Sequence, residues 1–505
     1  MTITENLYCS YYTKSEYITD YMVKRLQVQS DSIILEPSAG DGVFIDPLLE
    51  IDSNLNITAI DLNPETVTLL KGKYSNNPNI KILEADTLLD NSLDQKVIVN
   101  GYYDKIIGNP PYGAWQDYKK REELKKRYKG YYVKETYTLF LLRCVSLLRR
   151  HGTLTFIIPD TFLNLHMHKQ LREYILLNTK ISEILMIPSN FFPGVNFGYA
   201  NLTIITVKKC SKEDALNNTI RIISGLKKVS DIENITEEKN LEKYNIINIK
   251  QKEVFDSIDM AFLIKSGDDI RRLINNSETT LGDLADCVTG FYSGDNSRFF
   301  KVANSQVRNI SKCEVIKTEE INYNFIDYPD ILDGIDEQRC FIPVIKGNSK
   351  GYLRKDEWFL NWSKEAVQHY KTDKKARFQN SQYYFRKGIA LPMVKASKVS
   401  ASLIDNKVFD QSIVGVFPKD TKHLYLLLAL INSDIANTII QTINHTANNS
   451  ANYIKKIPIV IPSDTLLAKI NKLVENQISQ IKKTGSHDKN IDLELNKIFK
   501  ELYQG

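Results

Sequence analysis

A strand-like apolar run, Tyr103-Asp104-Lys105-Ile106-Ile107-Gly108, ends in Asn109-Pro110-Pro111-Tyr112. Two consecutive prolines fix φ twice and remove two backbone donors, so neither a helix nor a central strand continues through them. The chain must turn there, at what reads as the carboxyl end of a buried strand, where open α/β sheets bind their ligands. The turn offers carbonyl oxygens in a rigid frame, with an amide before them and an aromatic face after them. Such a frame suits an amino group attached to a planar ring, whose lone pair is conjugated and therefore weakly nucleophilic. Acceptors aimed at its two N–H bonds, here the Asn109 side-chain oxygen and the Pro110 carbonyl, would draw the nitrogen toward a tetrahedral form. The plain alternative is a proline-rich surface turn.

The segments before this turn repeat the pattern of a strand ending in polar residues. Ser32-Ile33-Ile34-Leu35 runs into Glu36-Pro37-Ser38-Ala39-Gly40-Asp41-Gly42, whose glycines let backbone approach a ligand closely. The turn has neither the full dinucleotide fingerprint nor the lysine of a phosphate-binding loop, which disfavours a nucleoside triphosphate. Ile57-Thr58-Ala59-Ile60 ends at Asp61, placed to take both hydroxyls of a ribose, and Ile80-Lys81-Ile82-Leu83 ends near Asp86, placed to accept from an adenine amino group. Either acid alone reads as a solvated strand end or a helix cap. Further on, Tyr137–Leu148 has helical spacing and Leu154–Ile158 is strand-like. This alternation predicts an α/β fold with a doubly wound, mostly parallel, Rossmann-like sheet.

Glu36-Pro-Ser-Ala-Gly-Asp-Gly, Ile60-Asp61, Ala85-Asp86 and Asn109-Pro-Pro-Tyr112, in that order, resemble the TaqI-type, or gamma-class, adenine-N6 DNA methyltransferases. The resemblance implies S-adenosyl-L-methionine as cofactor, with Glu36 and the backbone of Ala39 and Gly40 facing its methionine end, Asp61 its ribose and Asp86 its adenine. It assigns Thr13, in Tyr12-Thr13-Lys14-Ser15, to the methionine end, although a lysine stands where the family usually has proline. It implies catalysis by Asn109 and Pro110, with the extruded base stacked between Tyr112 and a second aromatic. In Asn190-Phe191-Phe192-Pro193 the phenylalanine before proline, Phe192, fits that position, with Phe191 as the alternative. Each stack contributes about 1–3 kcal/mol, comparable with the cost of unstacking and unpairing a base.

Charge gives a weaker signal, because the net +5 over 505 residues does not announce a nucleic-acid partner. Its distribution is more telling: Tyr118-Lys119-Lys120-Arg121 opens a basic stretch interleaved with tyrosines, so Lys119, Lys120 and Arg121 are candidates for phosphate contacts. A solvated helix with Glu–Lys pairs explains the same residues. Six scattered cysteines without a CxxC pair argue against a zinc ribbon, an iron–sulfur site or a disulfide framework, and favour a reducing cytoplasm. His166 and His168 lack a third ligand and read as ordinary surface residues, so no metal is expected. No signal peptide and no apolar run of membrane-spanning length is read.

From Asn217 to Lys252 the composition shifts to Asn, Glu, Lys and Ile, which places a domain boundary near 250. Residues 1–250 are then the catalytic domain and 251–505 a mixed α+β target-recognition domain. In the latter, the loops 289–296, 344–348 and 394–400 carry Gly, Ser and Asn with lysines, among them Lys395 and Lys398, expected to read DNA. The stretch 445–459 resembles the end of the TaqI-type specificity domain. Apolar residues recur at helical spacing from Thr465, and a second helix is expected over Asp492–Leu502. The expected partner is double-stranded DNA, met by a monomer, with any cognate restriction endonuclease a separate protein. Cytosine-N4 methylation, an RNA or protein-glutamine methyltransferase, and a DNA-binding modification subunit with an inactive pocket all stay open.

Overall fold

The computed structural model describes residues 15–98, 101–112, 118–191, 201–264, 267–307, 313–328, 330–348, 351–394, 398–444 and 448–504. The chain divides into two compact units, 1–262 and 263–505, so the division falls a dozen residues beyond the compositional boundary. The Asn- and Lys-rich segment that suggested 250 instead supplies two more strands of the first unit's sheet, Thr219–Ser224 and Asn245–Lys250.

Among the described residues of the first unit, nine strands form one sheet. They are β1 (Ile33–Glu36), β2 (Asn56–Asp61), β3 (Ile80–Glu84), β4 (Tyr103–Gly108), β5 (Leu148–Pro159), β6 (Thr179–Ile187), β7 (Leu202–Lys209), β8 (Thr219–Ser224) and β9 (Asn245–Lys250). Their order is β3-β2-β1-β4-β5-β7-β6-β8-β9, and the stretch from β3 to β5 is parallel throughout. The order reverses between β1 and β4, which pair directly, and ligands of such sheets bind at this switch point, outside the carboxyl ends of the strands. β7 runs antiparallel between β5 and β6, and its first residue, Leu202, lies opposite both Pro159 and Ile187. The core is aliphatic: Ile34, Leu35, Ile106, Ile107, Ile157, Ile184 and Ile205 are fully buried, the double-sided burial that produces continuous apolar runs.

Five helices bear on the site: α1 (Glu16–Leu26), α2 (Ile45–Ile51), α3 (Pro64–Lys73), α4 (Tyr118–Arg127) and α5 (Thr136–Leu147). Helix α3 starts as its sequence dictates, with Asn63 accepting from the Glu65 amide at 3.0 Å and proline in the first turn. Helix α1 is held by a buried ionic cluster. Glu183 on β6, 5% exposed, accepts from the Tyr21 hydroxyl (2.5 Å), Arg25 Nε (2.6 Å) and Arg221 Nη1 (3.0 Å). Both arginines also reach Glu238, so every charge in the cluster has a partner.

The second unit, described by itself, contains two sheets among its described residues. One has the order Ala285–Thr289, Ile413–Pro418, Gly388–Pro392, Ser402–Ile404. The other runs Glu314–Val315, Phe300–Val302, Trp358–Asn361, Phe341–Ile345, Val408–Phe409. Its core is aromatic, with Phe291, Trp362, Tyr370, Tyr384 and Phe409 packed together. At its end stand α6 (Asp464–Thr484), closed by Gly485 at φ 71°, and α7 (Lys489–Gln504). No single helix among the described residues is long and apolar enough to cross a membrane.

Removing the carboxylate of Glu183 leaves the buried Tyr21 hydroxyl without this acceptor and each guanidinium with Glu238 alone of its two carboxylates. Glu183→Leu is therefore expected to lower unfolding free energy by about 1–3 kcal/mol, the cost of leaving a buried hydroxyl unsatisfied and weakening its charged neighbours, as read by urea denaturation.

Candidate active site

The turn after β1 carries the first half of the site. Glu36 is 1% exposed, and its Oε2 has no hydrogen-bond partner among the described residues. Burial, followed by the nearby carboxylates of Asp41, Asp61 and Asp46, pushes its carboxyl well above the usual glutamate range. The Ala39 amide donates to Ile60 O (2.9 Å) and the Gly40 amide to Asp61 Oδ2 (2.8 Å), so this turn is tied to the end of β2. Gly42 has φ 75°, a conformation that favours glycine, and a Cβ there would press on the end of the Leu70 side chain at 2.8 Å.

Asp61 also accepts from the Asn63 amide (2.8 Å), and each of its carboxylate oxygens keeps a further lone pair for a hydroxyl ligand. Asp86 accepts from the Leu88 amide (3.0 Å) through Oδ1, while its Oδ2 is paired with Lys120 Nζ at 2.8 Å. Lys120, expected at a phosphate, is thus paired in this structure with the strand-end acid. Elsewhere on α4, Lys125 pairs with Glu122 and Arg127 with Asp94, the Glu–Lys reading of this helix. Lys119 is exposed, and Arg121 is half-buried, its Nε without a hydrogen-bond partner among the described residues.

The second half of the site is the turn after β4. Gly108 lets this strand end pack against the first turn, since a Cβ there would meet Pro37 Cδ at 3.3 Å. The Ser38 hydroxyl donates to Asn109 O (3.3 Å) and the Thr136 hydroxyl to Pro111 O (2.5 Å). Pro110 is buried, and no described residue donates to its carbonyl. Tyr112 is 8% exposed, and its hydroxyl donates to the Asn109 side-chain oxygen and faces Ile157 O at 3.3 Å. Asn109 and Tyr112 are thus coupled, and the oxygen expected to polarise an amine has one lone pair already engaged.

Thr13, Phe192 and Lys395 lie outside the described residues. Phe191 ends a short 3-10 turn and is half-buried. His168 is not a surface residue: it is 1% exposed and bonded through Nε2 to Glu135 at 3.0 Å, while His166 faces Asp259 at 3.0 Å. No group of three or more potential metal ligands occurs among the described residues. In the second unit, lysines expected to meet DNA are paired internally. Lys398 bonds Asp434 at 2.7 Å. Lys346 faces the buried Asp410 at 2.9 Å, with its ammonium over the rings of Phe300 and Trp358. The 289–296 loop begins as scaffold: Phe291 and Ser293 are fully buried, and Gly290 packs on the Phe409 and Asp410 carbonyls.

The site therefore offers a buried carboxylate oxygen without a hydrogen-bond partner among the described residues, a carboxylate with room for two hydroxyls, a third acid at the next strand end, and a proline turn beside them. Residues 55–192 match the Eco57I restriction-modification methylase family. That stretch contains Asp61, Asp86 and Asn109–Tyr112, whereas Glu36 lies before it. The Eco57I-type match agrees with named relatives. The chain is 27% identical over 212 residues to the type II methyltransferase M.AccI of Acinetobacter calcoaceticus, covering 40% of this chain and 37% of that one. It is 26% identical over 257 residues to M.HincII of Haemophilus influenzae, covering 50% and 41%. The chain thus spans about two fifths of the length of these relatives. In fold it is similar to a nuclease-deletion mutant of the type ISP restriction-modification enzyme LlaGI in complex with a DNA substrate mimic. The TM-score is 0.54 and the identity 12%, over 92% of this chain and 55% of that one.

Because its folded-state carboxyl is raised, Glu36 destabilises the fold progressively as pH rises from the unfolded glutamate range toward the folded value. Glu36→Gln is expected to melt a few degrees above wild type at neutral pH. The difference should close as pH falls through the ordinary range near 4.5. Differential scanning calorimetry of the ligand-free pair across this range checks it.

Proposed function

We propose that this chain methylates N6 of a specific adenine in duplex DNA, extruding the base and taking the methyl group from S-adenosylmethionine. The observation that carries the reading is the packing of two turns at the sheet's switch point. The Glu36–Gly42 turn and the Asn109–Tyr112 turn leave neighbouring parallel strands and are joined by Ser38. A cofactor half and an acceptor half side by side are what group transfer between two bound molecules requires.

The donor set fits the cofactor. Glu36, short of a partner, suits its cationic amino end beside the backbone of Ala39 and Gly40, with Thr13 contributing there by resemblance. Asp61 takes the ribose hydroxyls, and Asp86 takes the adenine amine where Lys120 yields an oxygen. S-adenosylmethionine, when bound, supplies a methyl group activated by a sulfonium. The residues of this chain do the rest. Asn109 Oδ1 and the Pro110 carbonyl accept from the two N–H bonds of the target amine and raise its nucleophilicity. Tyr112 and Phe192 hold the base by stacking. Lys119 and Arg121 are the remaining phosphate candidates of α4, and the second unit reads the site. The chain works in the cytoplasm as a monomer on DNA, with any cognate restriction endonuclease a separate protein.

Long-read sequencing of DNA from cells expressing the chain reports both the modified base and its context; modified cytosine in place of adenine would overturn the N6 reading. Asn109→Ala is expected to lower the methyl-transfer rate at least about 100-fold, the scale of losing one transition-state donor or acceptor. Its cofactor affinity should hold, and near-normal turnover would remove the central claim. In contrast, Asp61→Ala and Asp86→Ala should each weaken cofactor binding by about 10- to 100-fold, the worth of charged hydrogen bonds. Isothermal titration reads this directly, and unchanged affinity in both variants would mean the strand-end acids do not hold the cofactor.

A further inference from the structure

Helix α5 supports both halves of the site. Thr136, in its first turn, is buried and donates to Pro111 O at 2.5 Å. Arg143, seven residues on and so two turns along the same face, is also buried. Its Nε reaches Thr87 O (3.4 Å), its Nη2 Asp90 O (3.1 Å), and its Nη1 pairs with Asp94 at 2.7 Å. These carbonyls belong to the loop that begins at Asp86. The Thr87 hydroxyl in turn donates to Pro37 O at 2.6 Å, carrying the same anchorage to the turn that follows Glu36.

The helix itself is immobilised. Tyr137, Leu139, Leu141, Cys144, Val145 and Leu147 are buried around it, and it passes into β5 without a connecting loop. The Tyr137 hydroxyl bonds Thr161 at 2.6 Å. Glu135 does not cap the helix with its side chain, which meets His168 instead. Thr136 likewise bonds across to the proline turn, a use that a threonine at a helix start does not announce.

The proline turn explains why this matters. Asn109 O is held by Ser38 and Pro111 O by Thr136, so the carbonyls on either side of Pro110 are both fixed. With φ of Pro110 locked by its ring, the direction of its carbonyl follows from those two anchors. Resting on the function proposed above, we infer that Thr136 is a positioning residue for methyl transfer. Helix α5 is the spacer that sets the acceptor turn, through Thr136, at a fixed distance from the cofactor loops, through Arg143. Transfer requires reacting atoms about 3–3.5 Å apart, and a misplacement of about 1 Å costs on the order of 100-fold.

The test uses the full-length chain, labelled S-adenosylmethionine and unmethylated genomic DNA, comparing wild type, Thr136→Val and Thr136→Ser. Valine keeps the shape and removes the donor; serine keeps the donor. At saturating cofactor, Thr136→Val is expected to lose about 10- to 100-fold in single-turnover rate. Its cofactor affinity and melting temperature should be unchanged, and Thr136→Ser should recover most of the rate. Thr136→Ala removes the same donor if the valine variant does not fold. An active wild type with an undiminished valine variant overturns the inference alone, as does a serine variant as slow as valine. Loss of rate in step with cofactor affinity overturns it too, since the role would then be general support. A wild type that transfers no label to DNA overturns the proposed function and this inference with it.

Discussion

The parallel pairing of β1 with β4, with Ile34 opposite Lys105 and Leu35 opposite Ile106, is the constraint on which the site depends. Successive strands in such sheets usually sit side by side, but here β2 and β3 spread to one flank and β4 to the other. The strand that ends in Glu36 and the strand that ends in Gly108 are left as neighbours, with their turns in contact through Ser38. Every contact between the halves described here, from Ser38 on Asn109 O to Pro37 against Gly108, follows from that adjacency. The aliphatic core beneath it keeps the two strand ends from sliding, because a register shift would move buried isoleucines out of their packing.

Most of the first unit was legible because its elements are local in origin. The β-branched runs at 33–36, 56–61, 80–84 and 103–108 end in Pro, Gly, Asp and Asn, and strand ends marked that way survive without knowledge of what packs on them. Position in the sheet was not legible. Nothing local to Thr219–Ser224 or Asn245–Lys250 shows that they extend an edge already seven strands wide. Side-chain partners were harder still, since they depend on residues distant in sequence. Lys120 reads as a surface cation until β3 brings Asp86 to it, and His168 reads as exposed until Glu135 meets it. Thr136 carries no signal of its purpose at all, because its acceptor lies 25 residues earlier.

The second unit shows the same limit more sharply. Its lysines and glycines suggested loops built to touch DNA; in the fold Lys346 pairs with the buried Asp410, Lys398 makes an exposed pair with Asp434, and Gly290 lets two backbones approach. Arg354 shows a cation used in the same way: half-buried, it donates to the carbonyls of Lys346 and Gly347 and to Ser402, and its partial burial lowers its pKa to about 10. Composition identifies where polar groups are concentrated, but the same donors that bind phosphate also close turns.

The reversed strand β7 has a separate consequence. Because Leu202 pairs with both Pro159 and Ile187, the connection from β6 leaves and rejoins the sheet on its carboxyl edge, the edge that bears the proline turn. At that edge Asn201 ties both flanks of the reversed strand together. Its side-chain oxygen accepts from the Ser189 amide at 3.2 Å, and its backbone exchanges hydrogen bonds with Asp160. A change at this one position is therefore felt at the ends of β5 and β6 alike.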